Sequence, residues 1–167
     1  MNNSKPIKRH HALVSFSKDH HFGLLLEWKI RQGIEKGIAP ERISNYVLYF
    51  FDNDLKKHFN EEESLLFSLL PLNDKMRKKA EDQHRSIYQL IENIRSSKDQ
   101  PKVLMQLASA LEEHIRFEER ELFNHIQQRV SIIDLEKISS RVSNNGRAIE
   151  DAWKDAFWQN SSPTRSL

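Results

Sequence analysis

One phrase is written twice in this chain. His58-Phe-Asn-Glu-Glu62-Glu-Ser-Leu-Leu-Phe67 and His114-Ile-Arg-Phe-Glu118-Glu-Arg-Glu-Leu-Phe123 both read His-x-x-x-Glu-Glu-x-x-Leu-Phe. Residues four apart on a helix lie one above the other on the same face. Each copy therefore aims an imidazole and a carboxylate at a common point. Both pairs fall inside the apolar stripe of their segments, where an unpaired carboxylate is costly to bury unless it meets a countercharge or a metal ion. That pattern demands helices packed face to face around a polar centre.

The rest of the chain divides into helical blocks. Ser17 is suited to cap a first helix reaching Lys36, with Gly37 as its stop. Pro40 suits the first turn of a second helix, which Pro71 ends near Leu70. Asn73 can cap a third helix to about Ser97, and Pro101 opens a fourth that continues to about Val130. Ser131 and Asp134 open a last segment running to about Gln159, with a break expected around Asn144–Gly146. The apolar residues step by three and four: Val47, Phe51, Leu55, Leu66 and Leu69 in the second block, Met76, Ala80, Ile87, Ile91 and Ile94 in the third, and Leu104, Leu107, Leu111 and Leu122 in the fourth. Short connections make neighbouring helices antiparallel. The expectation is an all-α, up-down-up-down four-helix bundle over residues 17–130, preceded by an N-terminal arm (1–16). A C-terminal helical segment (131–159) would pack on the bundle, followed by a frayed tail (160–167).

Composition narrows the function. Four Gly and five Pro with 30% charged residues suit a helical chain with short loops. A net charge of +2, with both signs interspersed, gives no basic face for nucleic acid. No apolar run is long enough to span a bilayer, and the polar start lacks the apolar stretch of a signal peptide. A cytoplasmic protein is expected. With no Cys, disulfides, iron–sulfur ligation and thiolate metal sites are excluded.

Collected by helix, the inward polar residues are His58 with Glu62, His84, and His114 with Glu118, joined by His20 or His21 from the first helix. One His on each odd helix and one His-x-x-x-Glu on each even helix form a two-fold pseudo-repeat, which suits two metal ions. Each ion takes two imidazoles, and the two carboxylates bridge. With an oxo or hydroxo bridge one position stays open for a small molecule. Imidazole and carboxylate donors with open positions favour iron over manganese or zinc. His20 follows Asp19 and spaces well to Leu26 and Ile30, whereas His21 lies nearer the arc of Leu24, Leu25 and Trp28; His20 is preferred and His21 is the alternative. Tyr88 and His125 are candidates for contact with the ligands. Glu61, Glu63, Glu119 and Glu121 read as solvated flanks, and His10 and His11 as part of the arm.

This ordered set resembles the hemerythrin-like (HHE cation-binding) family of non-haem di-iron bundles over roughly Phe16 to Arg129. The resemblance implies a first-helix His, His58, Glu62, His84, His114 and Glu118 as ligands, the glutamates bridging two non-haem irons. It departs from the oxygen-carrying hemerythrins, which place a second His where this chain has Tyr88 and use His-x-x-x-x-Asp on the fourth helix. It is closer to the di-iron domain of iron–sulfur cluster repair proteins, whose Cys-containing N-terminal domain is absent here. The resemblance implies binding of O2, NO or peroxide in sensing, scavenging or iron handling. The rivals are an enzyme reducing peroxide or NO at the same centre, and a metal-free interaction bundle.

Overall fold

The structure, a computed structural model, describes residues 8–159. Residues 1–7 of the expected N-terminal arm, and the tail from Asn160, lie outside the described residues. Four long helices form the bundle. Helix α1 is His11–Glu35. Helix α2 spans residues 40–69 as α-helical Pro40–Phe50, a π-helical turn Phe51–Leu55, α-helical Lys56–Glu61, a second π turn Glu62–Leu66 and a 3₁₀ turn Phe67–Leu69. Helix α3 is Lys75–Ser96. Helix α4 spans residues 101–129, with a π turn Glu118–Leu122 between Pro101–Phe117 and Phe123–Arg129. The pairs α1–α2, α2–α3, α3–α4 and α4–α1 pack against one another, closing the up-down-up-down bundle. No described helix is long and apolar enough to cross a membrane.

Two helix starts differ from expectation. Helix α1 begins at His11 because Ala12, Leu13 and Phe16 are fully buried and draw the helix back toward the N-terminus. Its cap is His10, whose ring Nδ1 accepts the Ala12 N–H at 3.1 Å. Ser17 lies inside the helix and accepts from Arg9. Helix α3 is capped by Asp74 rather than Asn73, the carboxylate accepting from the Met76 and Arg77 N–H groups. Gly37 does close α1: its φ of 68° is left-handed, a conformation glycine adopts without penalty.

The π turns decide which residues face inward. A π turn takes up one more residue than an α turn, so the apolar stripe beyond it moves by one position. Past Glu62 the buried residues are Leu66, Phe67 and Leu70, and Leu69 sits at the edge. Past Glu118 they are Leu122, Phe123 and Ile126, leaving His125 half-buried.

The core is split in two. One apolar cluster runs through Leu26, Ile30, Val47, Phe51, Ile87, Ile91, Leu107 and Leu111. The other runs through Leu13, Phe16, Leu66, Phe67, Ala80, Leu122, Phe123 and Ile126. Along every helix the polar seam residues lie between the two. Gly23 lets α1 approach α4 at this level, since a Cβ there would come within 2.8 Å of Ile115 Cδ1.

After the bundle come α5, Ile132–Ser139, and α6, Gly146–Asp151, both against α1. The Ser131 hydroxyl accepts from Asp134 N, and the expected break falls between the two short helices. Trp153, Phe157 and Trp158 then pack around Tyr46, beside the buried Lys29. Its ammonium donates to the Tyr46 hydroxyl (3.1 Å), pairs with Glu150 (3.2 Å) and lies 3.8 Å over the Trp158 ring.

Candidate metal centre

Six side chains converge in the polar layer: His20 from α1, His58 and Glu62 from α2, His84 from α3, and His114 and Glu118 from α4. None is more than 4% exposed. They form two overlapping groups, His20/His58/Glu62/Glu118 and His84/His114/Glu62/Glu118, in which one donor atom from each residue lies within 4.8 Å of the others. The shared members are the two glutamates. Glu62 Oε1 faces His58 and His20 (3.3 Å from the latter), while Oε2 faces His84 at 3.0 Å and His114 at 3.8 Å. Glu118 Oε2 is 2.8 Å from His20, and its Oε1 is 3.1 Å from His114. Each carboxylate thus offers one oxygen to each half.

Every imidazole meets this centre through Nε2, because every Nδ1 is already engaged. His20 Nδ1–H donates to Glu119 (2.6 Å) and His58 Nδ1–H to Asp19 (3.1 Å). His84 Nδ1–H donates to Glu63 (2.7 Å) and His114 Nδ1–H to the Gln83 carbonyl (2.7 Å). A proton held on Nδ1 leaves the Nε2 lone pair free and fixes the ring orientation, the usual support of a metal-bound histidine.

The repeated phrase now has a reason for its double glutamate. The first carboxylate enters the centre, and the second (Glu63 or Glu119) clamps the lone imidazole of another helix. Glu63 and Glu119 are therefore not simply solvated flanks. Their role was legible in the repeat, but which histidine each reaches depends on helix pairing.

The donor set fits an ion better than it fits its own hydrogen bonds. His84 Nε2 and His114 Nε2 lie 3.0 Å apart. With both Nδ1 atoms protonated, two neutral rings would set lone pair against lone pair, a clash that either an ion or a second proton on one ring relieves. Both oxygens of Glu118 are fully buried yet accept no well-directed hydrogen bond, although ring nitrogens lie at 2.8 and 3.1 Å. Direction rather than distance is what fails. Two donor atoms each about 2.1 Å from one ion, and at right angles about it, are about 3.0 Å apart, close to the separations observed.

Without an ion the carboxylates draw protons onto His58, His84 and His20 instead. Burial opposes charge on His58, but Glu62 and Asp19 outweigh it and lift its pKa to about 10. Burial likewise opposes charge on His84, whose pKa Glu62 and Glu63 lift to about 9. His20 is raised well above its ordinary value against the same opposition, by Glu118, Glu119 and Glu62. Glu62 is lowered despite burial by His58, His114 and His20.

The remaining candidates fall away from the centre. His21 is exposed; Leu24 and Trp28, whose arc it shares, are 39% and 45% exposed, so that arc faces outward. Tyr88 packs edge-on to Phe51 and Phe59, and its hydroxyl makes no hydrogen bond among the described residues. His125 pairs with Asp74 at 2.7 Å, displaced from the seam by the π turn. His10 and His11 both meet Glu136, at 3.2 and 3.0 Å. His10 spends Nδ1 as the α1 cap and turns Nε2 to the Glu136 carboxylate, so neither ring nitrogen is left for an ion.

A small cavity opens beside the centre between His20, His58, His114, Gly23, Leu55 and Leu111. It has room for about one water-sized molecule.

A model of the family described as the hemerythrin HHE cation binding domain matches residues 10–126, most of the chain and all six converging residues. No curated protein and no solved structure matches the chain.

Proposed function

The chain belongs to the hemerythrin HHE cation-binding domain family, and from that premise we propose that it is a binuclear non-haem iron protein that binds a small oxidant or diatomic molecule, O2, NO or peroxide. The observation that carries this reading is the orientation of the imidazoles: four Nδ1 atoms tied outward and four Nε2 atoms turned onto two shared carboxylates. His20 and His58 would hold one ion, His84 and His114 the other, with Glu62 and Glu118 between them. Iron suits this donor set, and manganese or zinc are the alternatives. A ferrous pair would supply electrons and an open coordination position for the incoming molecule.

The protein's own groups then have defined work. Asp19, Glu63, Gln83 and Glu119 hold the imidazoles in their Nδ1–H tautomers. The two apolar clusters exclude bulk water from the layer between them. The cavity walled by Gly23, Leu55 and Leu111 admits a molecule of two or three atoms and rejects a larger one. The likeness to the di-iron domain of iron–sulfur cluster repair proteins supports a role in oxidative or nitrosative stress, through sensing, scavenging or handling iron.

Anaerobic reduced protein loaded with iron, then exposed to O2 or NO, should develop new visible absorption within the mixing time. Azide, as a small anion, should perturb the oxidised spectrum, whereas a bulky imidazole should not. A reduced spectrum indifferent to both gases would overturn the reading.

A further inference from the structure

The centre is built as two halves that differ at one position. Asp19 and Gln83 each precede an inward imidazole in sequence, and each accepts Nδ1–H from the other imidazole of its own half. Asp19 brings a carboxylate to His58. Gln83 brings a neutral amide to His114. A carboxylate partner raises the basicity of a ligating imidazole, while an amide orients the ring without adding charge.

The other two partners do not restore the balance. Glu119, on His20, shares its charge with Arg9 at 2.5 Å. The Glu63 side chain, on His84, is 43% exposed and weakened by solvent. The unshared difference is therefore Asp19 against Gln83.

Asp19 is also held from outside the bundle. Asn144, in the turn between α5 and α6, donates its amide N–H to Asp19 Oδ1 and to the Ser15 carbonyl, each at 2.9 Å. Both Asp19 oxygens are thus engaged, one by His58 and one by Asn144, and the residue is 6% exposed. The same turn is fastened by Ser143, whose hydroxyl donates to Glu61 (3.0 Å) and whose carbonyl accepts from Lys57 (3.2 Å). Asn144 lies beyond the residues matched by the family, 10–126. Gln83 is only half-buried, borders an open groove with Lys75 and Lys79, and has no comparable support among the described residues.

We propose that the two ions are held unequally, the His20/His58 ion binding first and leaving last, and that Asn144 is a positioning residue by which the C-terminal segment fixes this order through Asp19. This rests on the two-ion reading above.

The test is chelator challenge of the full chain loaded anaerobically with ferrous iron, following release by the absorbance of the iron chelate. Two phases of one ion each are expected, with rates at least about tenfold apart, the scale on which the partners of a ligating histidine act. Gln83→Glu should slow the fast phase about tenfold and leave the slow one. Asp19→Asn should speed the slow phase about tenfold and leave the fast one, and Asn144→Ala should do the same to a smaller extent. If Asn144 only braces the fold, Asn144→Ala will lower the melting temperature of the metal-free chain and move both phases alike, which overturns its assignment. Release in one phase overturns the inequality, and a rate ratio untouched by Gln83→Glu overturns its origin in Asp19 against Gln83, each while leaving the two-ion reading intact. A chain that takes up no iron overturns both.

Discussion

Removing both metal ions at neutral pH should lower the melting temperature by roughly 15–30 °C, with a deficit that widens as the pH rises. An ion present at about 1,000 times its dissociation constant stabilises the folded state by about 4 kcal/mol per site. In a domain of this size each kcal/mol is worth roughly 2–4 °C. The pH dependence follows from what replaces the metal. In the stripped protein His58 and His84 have folded pKa values of about 10 and about 9, above the unfolded value near 6.5. Their pairing with Glu62, Asp19 and Glu63 therefore stabilises fully below about pH 6.5 and is lost as the pH climbs through 9 to 10. A metal-loaded centre uses neutral imidazoles and loses nothing over that window. In acid the difference vanishes, because protons compete with the ion and the two forms converge. Thermal melts at pH 6, 7.5 and 9, with and without chelator, check all three statements. Superimposed melts at pH 7.5 and 9 would contradict a central metal.

Replacing Glu62 and Glu118 together by Leu should abolish the ion pair. Each glutamate offers one oxygen to each half, so the double change removes every bridging atom at once. Metal content should fall from two ions per chain to at most one, with loss of the absorption of a bridged pair. The stripped double variant should also show a shallower decline in stability between pH 7 and 10, since of the carboxylates that hold up the imidazolium pKa values of His58 and His84 only Asp19 and Glu63 remain. A bundle that merely pairs His with Glu predicts otherwise. Replacing buried ion pairs by apolar residues is often neutral or stabilising, and a protein that bound no metal would have none to lose. Metal uptake separates the two cases.

What could be read from the sequence was what is local to one helix. His58–Glu62 and His114–Glu118 share a face by spacing alone, and Pro40 and Pro101 at helix starts and Pro71 past a helix end mark the helix limits closely. What could not be read depends on a neighbour or on a break in the period. Spacing places His125 inward only if the helix keeps its α repeat, and the π turn at Glu118 moves Ile126 into that place. The choice between His20 and His21 was obscured by Leu24 and Trp28, large apolar residues that face outward. Glu63, Gln83 and Glu119 were in plain view, but each serves a histidine on a different helix. The tie from Asn144 to Asp19 joins residues more than a hundred positions apart, and no periodicity could announce it.

The central claim is tested most directly by counting metal. Protein prepared without chelators, offered ferrous iron and freed of excess, should contain about two iron ions per chain by elemental analysis. After oxidation it should show the near-ultraviolet absorption of an oxygen-bridged pair. A folded chain that emerges from the same treatment without bound iron, manganese or zinc would contradict the account.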